Sequence, residues 1–185
     1  EGSLLEEAVC LGTAGLTAGL AVYKLVVNGL KPSSGKILVT GATGGVGSMA
    51  VAILSRDGFD VTASTGKREA GSFLKSLGAS ELISREEADD KSGKPLLRSR
   101  WAGVVDNVGG NTLATALKTT HKDGCVVSIG MVDSPKLETY VFPFILNGIT
   151  LTGVDSATTD WSLRHEVWNK LALEWKPDRL KEMCK

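Results

Sequence analysis

The feature that most constrains this chain is a glycine-rich turn set between an apolar run and a helical stripe. Lys36-Ile37-Leu38-Val39-Thr40 is short and largely apolar, as a strand covered on both faces must be. Gly41-Ala42-Thr43-Gly44-Gly45-Val46-Gly47 follows at once. Val46, Met49, Ala50, Ile53 and Leu54 then recur at the three- and four-residue spacing of a helix with one buried side. A strand that passes into a helix through so few side chains brings bare backbone to the helix N-terminus. There, free N–H groups and the helix dipole attract a pyrophosphate. The match to G-x-G-x-x-G is incomplete, because Ala42 holds the first glycine position while Gly44 and Gly47 hold the others. A phosphate loop of the G-x-x-x-x-G-K-[ST] kind is excluded, since no Gly-Lys pair follows at that spacing.

The rest of the chain repeats the alternation. Leu16, Leu20, Tyr23 and Val27 predict a helix over 13–28, closed by Gly29. Strands are predicted at 59–64 and 81–83, with a helix carrying Ala70, Phe73, Leu74 and Leu77 between them. Further strands at 102–106, 124–129 and 150–154, a helix over 111–118 and a closing helix over 161–174 complete the series; 89–95 is polar and reads as an exposed loop. Strand, helix and strand in succession imply right-handed crossovers. The expected fold class is therefore α/β: a doubly wound, parallel, six-stranded sheet of the Rossmann type with helices on both faces. A length of 185 residues suits one such domain, 1–185.

Composition narrows the function classes. With 42% hydrophobic and 23% charged residues the chain should build a core. Its 21 basic and 21 acidic residues create no global field for nucleic acid or an anionic membrane, so neither is an expected partner. No uniformly apolar stretch of about 18 residues is present, and Glu1-Gly2-Ser3 does not open a signal peptide. Cys10, Cys125 and Cys184 are far apart and suggest neither a disulfide framework nor a zinc site, which fits a reducing cytoplasm. His121 and His165 stand alone, and no metal is predicted.

The end of the second strand carries the cofactor choice. A dinucleotide site about 20 residues past the glycine turn usually offers an Asp or Glu to the adenosine ribose. Here Ser64-Thr65-Gly66-Lys67-Arg68 offers hydroxyls and cations, and no acid before Glu69. A 2′-phosphate would be repelled by a carboxylate and welcomed by these groups, so the residues point to NADP(H) over NAD(H). Trp161, Trp168 and Trp175 recur every seven residues and predict packing against a neighbouring domain or subunit.

Thr40-Gly41-x-x-x-Gly45-x-Gly47 also satisfies the short-chain dehydrogenase glycine pattern, but the Tyr-x-x-x-Lys that family needs is absent: Tyr23 is followed by Val27 and Tyr140 by Phe144. A larger set of segments resembles the medium-chain dehydrogenase/reductase superfamily. It comprises Gly12-Thr13-Ala14-Gly15-Leu16-Thr17-Ala18, the 39–47 turn, Leu74-Lys75-Ser76-Leu77-Gly78-Ala79-Ser80, Asp106-Asn107-Val108-Gly109-Gly110, Pro143-Phe144-Ile145-Leu146 and Gly153-Val154-Asp155-Ser156. Within that superfamily the chain looks most like the zinc-independent acrylyl-CoA reductase and quinone-oxidoreductase-like branch. The resemblance implies an NADPH-dependent reductase that passes hydride to an activated alkene, such as an enoyl thioester, or to a quinone. It also implies a GroES-like substrate domain outside this chain, with 1–12 and 175–185 as linkers to it, and a homodimer through the cofactor domain's edge strand. Carried over by position, it assigns the pyrophosphate to Thr43, Gly44, Gly45 and Val46, and the 2′-phosphate to Thr65, Lys67 and Arg85. The nicotinamide half falls to Thr17, Asn107, Val108, Gly109, Ser128 and Gly130. No catalytic acid is assigned. The competing reading is a non-catalytic NADPH-binding module that senses redox state or mediates interactions.

Overall fold

The computed structural model describes residues 2–183; the side chains of 2–5, 68 and 181 are outside the description, as is Cys184. Strands β1 (Ile37–Val39), β2 (Val61–Ser64), β3 (Glu81–Ile83), β4 (Trp101–Asp106), β5 (Thr120–Ser128) and β6 (Thr150–Gly153) form one sheet in the order β3-β2-β1-β4-β5-β6. Every neighbouring pair is parallel. Successive side chains along each central strand point to opposite faces, and the strands β1, β2 and β4 are buried throughout. Ile37 and Val39, Val61 and Ala63, and Cys125 and Val127 face one core, whereas Leu38, Val104 and Val126 face the other. Helices α1 (Gly2–Val27), α2 (Gly45–Arg56), α3 (Gly71–Ser76) and α6 (Trp161–Ala172) cover the first face. Helices α4 (Gly110–Thr119) and α5 (Phe142–Asn147) cover the second, and α7 (Leu180–Met183) closes the first core through Leu180. The six-stranded parallel sheet with helices on both faces is the expected one.

Several boundaries differ from the expectation. Helix α1 starts well before Thr13, but its backbone breaks at Gly12 (φ 44°, ψ −151°), so the predicted start is the start of its second segment. By length and mean hydropathy (1.5) Glu6–Val27 is apolar enough to cross a membrane. Leu16, Leu20, Ala21, Val22 and Leu25 are nevertheless buried in the domain core. Strand β5 begins at Thr120 because Thr120 pairs with Trp101 before an irregularity that shifts Gly103 onto Cys125. The exposed residues 121–123, with Asp123 at φ 59°, form that excursion.

Parts of the stretches expected to be linkers pack on the domain. Leu11, Trp175 and Leu180 are buried in the first core, and Glu7 meets Lys176 at 2.7 Å. The tryptophan series divides accordingly. Trp175 is 2% exposed and Lys170 Nζ lies 5.0 Å from its ring. Trp168 packs against the same core, so of the three only Trp161, 76% exposed, faces outward. Cys10 is disulfide-bonded, where the cysteine spacing predicted no such bond.

A candidate dinucleotide cleft at the switch point

The sheet reverses direction of growth between β1 and β4. The helix after β1 goes to one face and the helix after β4 to the other, which leaves a crevice beyond their carboxyl ends. A cleft of about 560 Å³ occupies that crevice. Its floor is the glycine turn. A Cβ on Gly47 would lie 2.4 Å from Gly41 O and 2.9 Å from Ala42 Cα, so only glycine lets α2 approach β1 this closely. The first intrahelical bond of α2 is Ser48 N–H to Gly44 O, 2.9 Å. The first-turn N–H groups of 45–47 therefore lack helical acceptors, and the cap residue Gly44 supplies no side chain to replace one. Bare donors at a helix start fit an anion.

Thr40, Asp106 and Asn107 hold the crevice open. Asp106 is fully buried at the end of β4. It accepts hydrogen bonds from Thr40 Oγ1 at 2.7 Å and from Gly109 N–H at 2.8 Å. Burial pushes its carboxyl above the ordinary value, and those donors pull partly back. Asn107 donates from Nδ2 to Thr40 O at 2.7 Å and from its backbone N–H to Thr40 Oγ1 at 3.1 Å. This ties the end of β1 to the loop after β4. With its acceptor sites facing these donors, Asp106 acts as a tie within the fold rather than as a group aimed at a ribose.

At the opposite end of the cleft, Thr65 Oγ1 lies 3.4 Å from Thr43 Oγ1 and accepts from Lys67 N–H at 3.0 Å. Arg85, one strand over, borders the same space. No acid stands at the end of β2, where Ser64 Oγ instead donates to Ser84 O at 3.3 Å. Among the described residues neither Lys67 nor Arg85 is joined to an acid in an ion pair. Two exposed cations and a pair of hydroxyls thus gather at this end of the cleft, a set whose chemistry could hold a phosphate.

Of the residues assigned from sequence, Thr43, Gly44, Gly45, Val46, Thr65, Lys67, Arg85, Asn107, Val108 and Gly130 border this cleft. Gly109 and Ser128 border an adjoining groove that shares Ile129 and Gly130 with it. Thr17 borders neither. Its hydroxyl is bonded to Thr13 O at 2.7 Å and to Ser156 Oγ at 2.9 Å. Arg68, noted as a neighbour of the phosphate residues, has its side chain outside the described residues.

Ala88, Asp89, Thr112, Val132 and Asp133 also border the cleft. They come from a short 3-10 turn, from α4 and from the loop after β5, and nothing in their spacing signals a site. Gly66 was readable, lying between two assigned residues. In the adjoining groove Lys24 and Lys136 were missed, Lys24 Nζ donating to Gly153 O at 2.6 Å. Cys125 has no chemical role at this site: burial pushes its thiol up to about 11, which suppresses the thiolate. Among the described residues no group of three or more His, Cys, Asp or Glu is arranged to hold a metal ion.

Comparison with known proteins agrees with this geometry. YhfP of Bacillus subtilis, which carries the name quinone oxidoreductase, is 48% identical over 176 residues, covering 95% of this chain and 53% of the relative. Acrylyl-CoA reductase AcuI of Ruegeria pomeroyi is 40% identical over 185 residues, 100% of this chain and 56% of the relative. The crystal structure of B. subtilis yhfP with NAD bound superposes with a TM-score of 0.94 at 47% identity, covering 96% of this chain and 54% of that one. Escherichia coli K-12 YhdH with bound NADPH superposes at 0.91 with 41% identity, covering 95% and 54%. The chain spans about half the length of these relatives. The family described as zinc-binding dehydrogenase matches residues 45–175. The chain belongs to that family, within the medium-chain dehydrogenase/reductase superfamily.

Proposed function

We propose that this chain is the NADP(H)-binding domain of an oxidoreductase that passes hydride to an activated alkene, such as an enoyl thioester, or to a quinone. The observation that carries the cofactor choice is the end of β2, where Thr65 and Lys67, with Arg85 from beyond β3, border the cleft and no acid stands at the strand end itself. The YhdH structure with NADPH supports it. The yhfP structure holds NAD, so the preference is a property to be measured on this chain. The quinone and enoyl-thioester alternatives follow the names carried by YhfP and AcuI.

When bound, the nicotinamide supplies the hydride chemistry. The contribution of this chain is placement. Thr43, Gly44, Gly45 and Val46 would hold the pyrophosphate on the start of α2, and Thr65, Lys67 and Arg85 would hold the adenosine end. Asn107, Val108, Gly109, Ser128 and Gly130 would carry the nicotinamide half toward the adjoining groove, with Thr17 supporting it through Ser156. The substrate is a small molecule admitted from that groove. The remaining wall is assigned to a GroES-like domain beyond residues 1–12 and 175–185.

A second copy of the chain is the proposed partner at the open sheet edge. Among the described residues β6 pairs only with β5, and Val141, Ile145 and Leu146 are 64, 73 and 57% exposed. Steady-state assays on the full-length protein test the reading. Consumption of NADPH with acrylyl-CoA or a benzoquinone is the expected result. Tight NADPH binding without turnover of any enal, enoyl thioester or quinone would favour the non-catalytic module instead.

A further inference from the structure

The groups around the proposed phosphate are held in different ways. Thr65 Oγ1 is fixed by the Lys67 N–H and sits near Thr43. Arg85 is exposed, begins a 3-10 turn after β3 and makes no ion pair among the described residues. A free arginine of this kind would ordinarily sample many rotamers and lose that freedom on meeting a ligand.

What locates its head is a missing side chain. A Cβ on Gly66 would stand 3.0 Å from each of Cζ, Nε and Nη2 of Arg85, so the flat guanidinium faces the Gly66 backbone. Gly66 is outside the set of glycines with left-handed backbone, and no other group comes closer to that position. An L-residue could take this backbone without strain. Lack of a Cβ therefore does one thing here, which is to leave room for the guanidinium. Both residues border the cleft.

We propose that Gly66 seats the Arg85 guanidinium and so sets the preference of the site for a 2′-phosphorylated adenosine nucleotide over the unphosphorylated one. Gly66 is a positioning residue: the phosphate is met by Arg85, whose planar fork can donate two parallel hydrogen bonds to it. This rests on the NADP(H) reading above. Alanine at 66 presses only on the end of a flexible, exposed side chain, so the variant keeps its fold while the guanidinium must shift off its seat against the Gly66 backbone.

The test is calorimetric titration of the full chain and its Gly66→Ala, Arg85→Ala and double variants with 2′,5′-ADP, 3′,5′-ADP and 5′-AMP. The wild type should prefer 2′,5′-ADP. Each single substitution should weaken 2′,5′-ADP about tenfold, as loss of a charged hydrogen bond does, with 5′-AMP affinity and the Tm unchanged. If Gly66 acts through Arg85, the double variant should bind no more weakly than Arg85→Ala alone. Additive losses, or equal weakening of 2′,5′-ADP and 5′-AMP by Gly66→Ala, would overturn the proposal. So would a preference for 3′,5′-ADP, which would transfer the phosphate to a coenzyme A-type ligand. A wild type that binds 2′,5′-ADP and 5′-AMP equally would leave the nucleotide site standing and remove Gly66 from it. A wild type that binds none of the three, nor NADPH, would remove the cofactor reading together with the proposal.

Discussion

The two halves of the sheet are built by the same strand–helix rule and finished differently. In the β1-β2-β3 half, the glycine turn, the first turn of α2, Thr65, Lys67 and Arg85 converge on one cleft from within the chain. In the β4-β5-β6 half, Gly109, Ser128 and Gly130 open onto a groove rimmed by Met131 and Lys136. Met131 is 67% exposed and the neighbouring Val132 88%. On the proposed reading the first half supplies the groups for a phosphorylated adenosine, and the second presents a wall and an exposed apolar edge.

Substitutions can break that comparison at chosen places. The largest effect is expected for Gly47→Ala, whose Cβ would collide with Gly41 O at 2.4 Å, a backbone atom that cannot swing aside. Overpacking of this kind costs about 1–3 kcal/mol. The displaced α2 start should also lower NADPH affinity at least a hundredfold, read by urea unfolding and by fluorescence titration.

Asp106 sits at the seam between the halves, and Asp106→Ala strands the Thr40 hydroxyl and the Gly109 N–H in the interior. The expected cost is about 2–3 kcal/mol, and both the cleft and the groove should suffer. The pH dependence has a definite sign. Because burial raises the folded-state value of this carboxyl, the native state holds its proton where the unfolded chain has released it. Stability contributed by Asp106 is therefore full below the unfolded value and falls as pH rises through the window up to the folded one. Asp106→Asn should flatten that slope in unfolding curves recorded across the acidic range.

The smallest effect on stability belongs to the second half. Ile145→Asp changes an exposed side chain and should move the unfolding free energy by no more than about 0.5 kcal/mol. Its effect should appear in sedimentation velocity as loss of the dimer. Wild-type protein that sediments as a monomer would remove the edge from the list of interfaces.

The strands and the cleft's floor were readable because they rest on local chemistry. Apolar runs such as 36–40 and 102–106 specify buried strands, and 41–47 can only be a tight turn into a helix. The same locality made Thr65 and Lys67 legible, one and three residues past a strand end. What escaped was long-range. Ala88, Thr112 and Asp133 reach the cleft from three separate elements, and no periodicity links them. Trp175 looked like an interface residue because its spacing from Trp161 and Trp168 is regular, yet α6 ends at Ala172 and the chain then turns it into the core. The opening helix was expected to start at Thr13, and the structure places a backbone break at Gly12 inside a longer helix.

The most direct test of the account is a parallel fluorescence titration with NADPH and NADH, run on the wild type and on a Thr65→Ala, Lys67→Ala variant. Tighter binding of NADPH, reduced to the level of NADH in the variant with NADH binding unaltered, is the predicted result. Equal affinity for the two cofactors in the wild type, or a preference that survives the double substitution, would contradict the assignment of the β2 end to a 2′-phosphate.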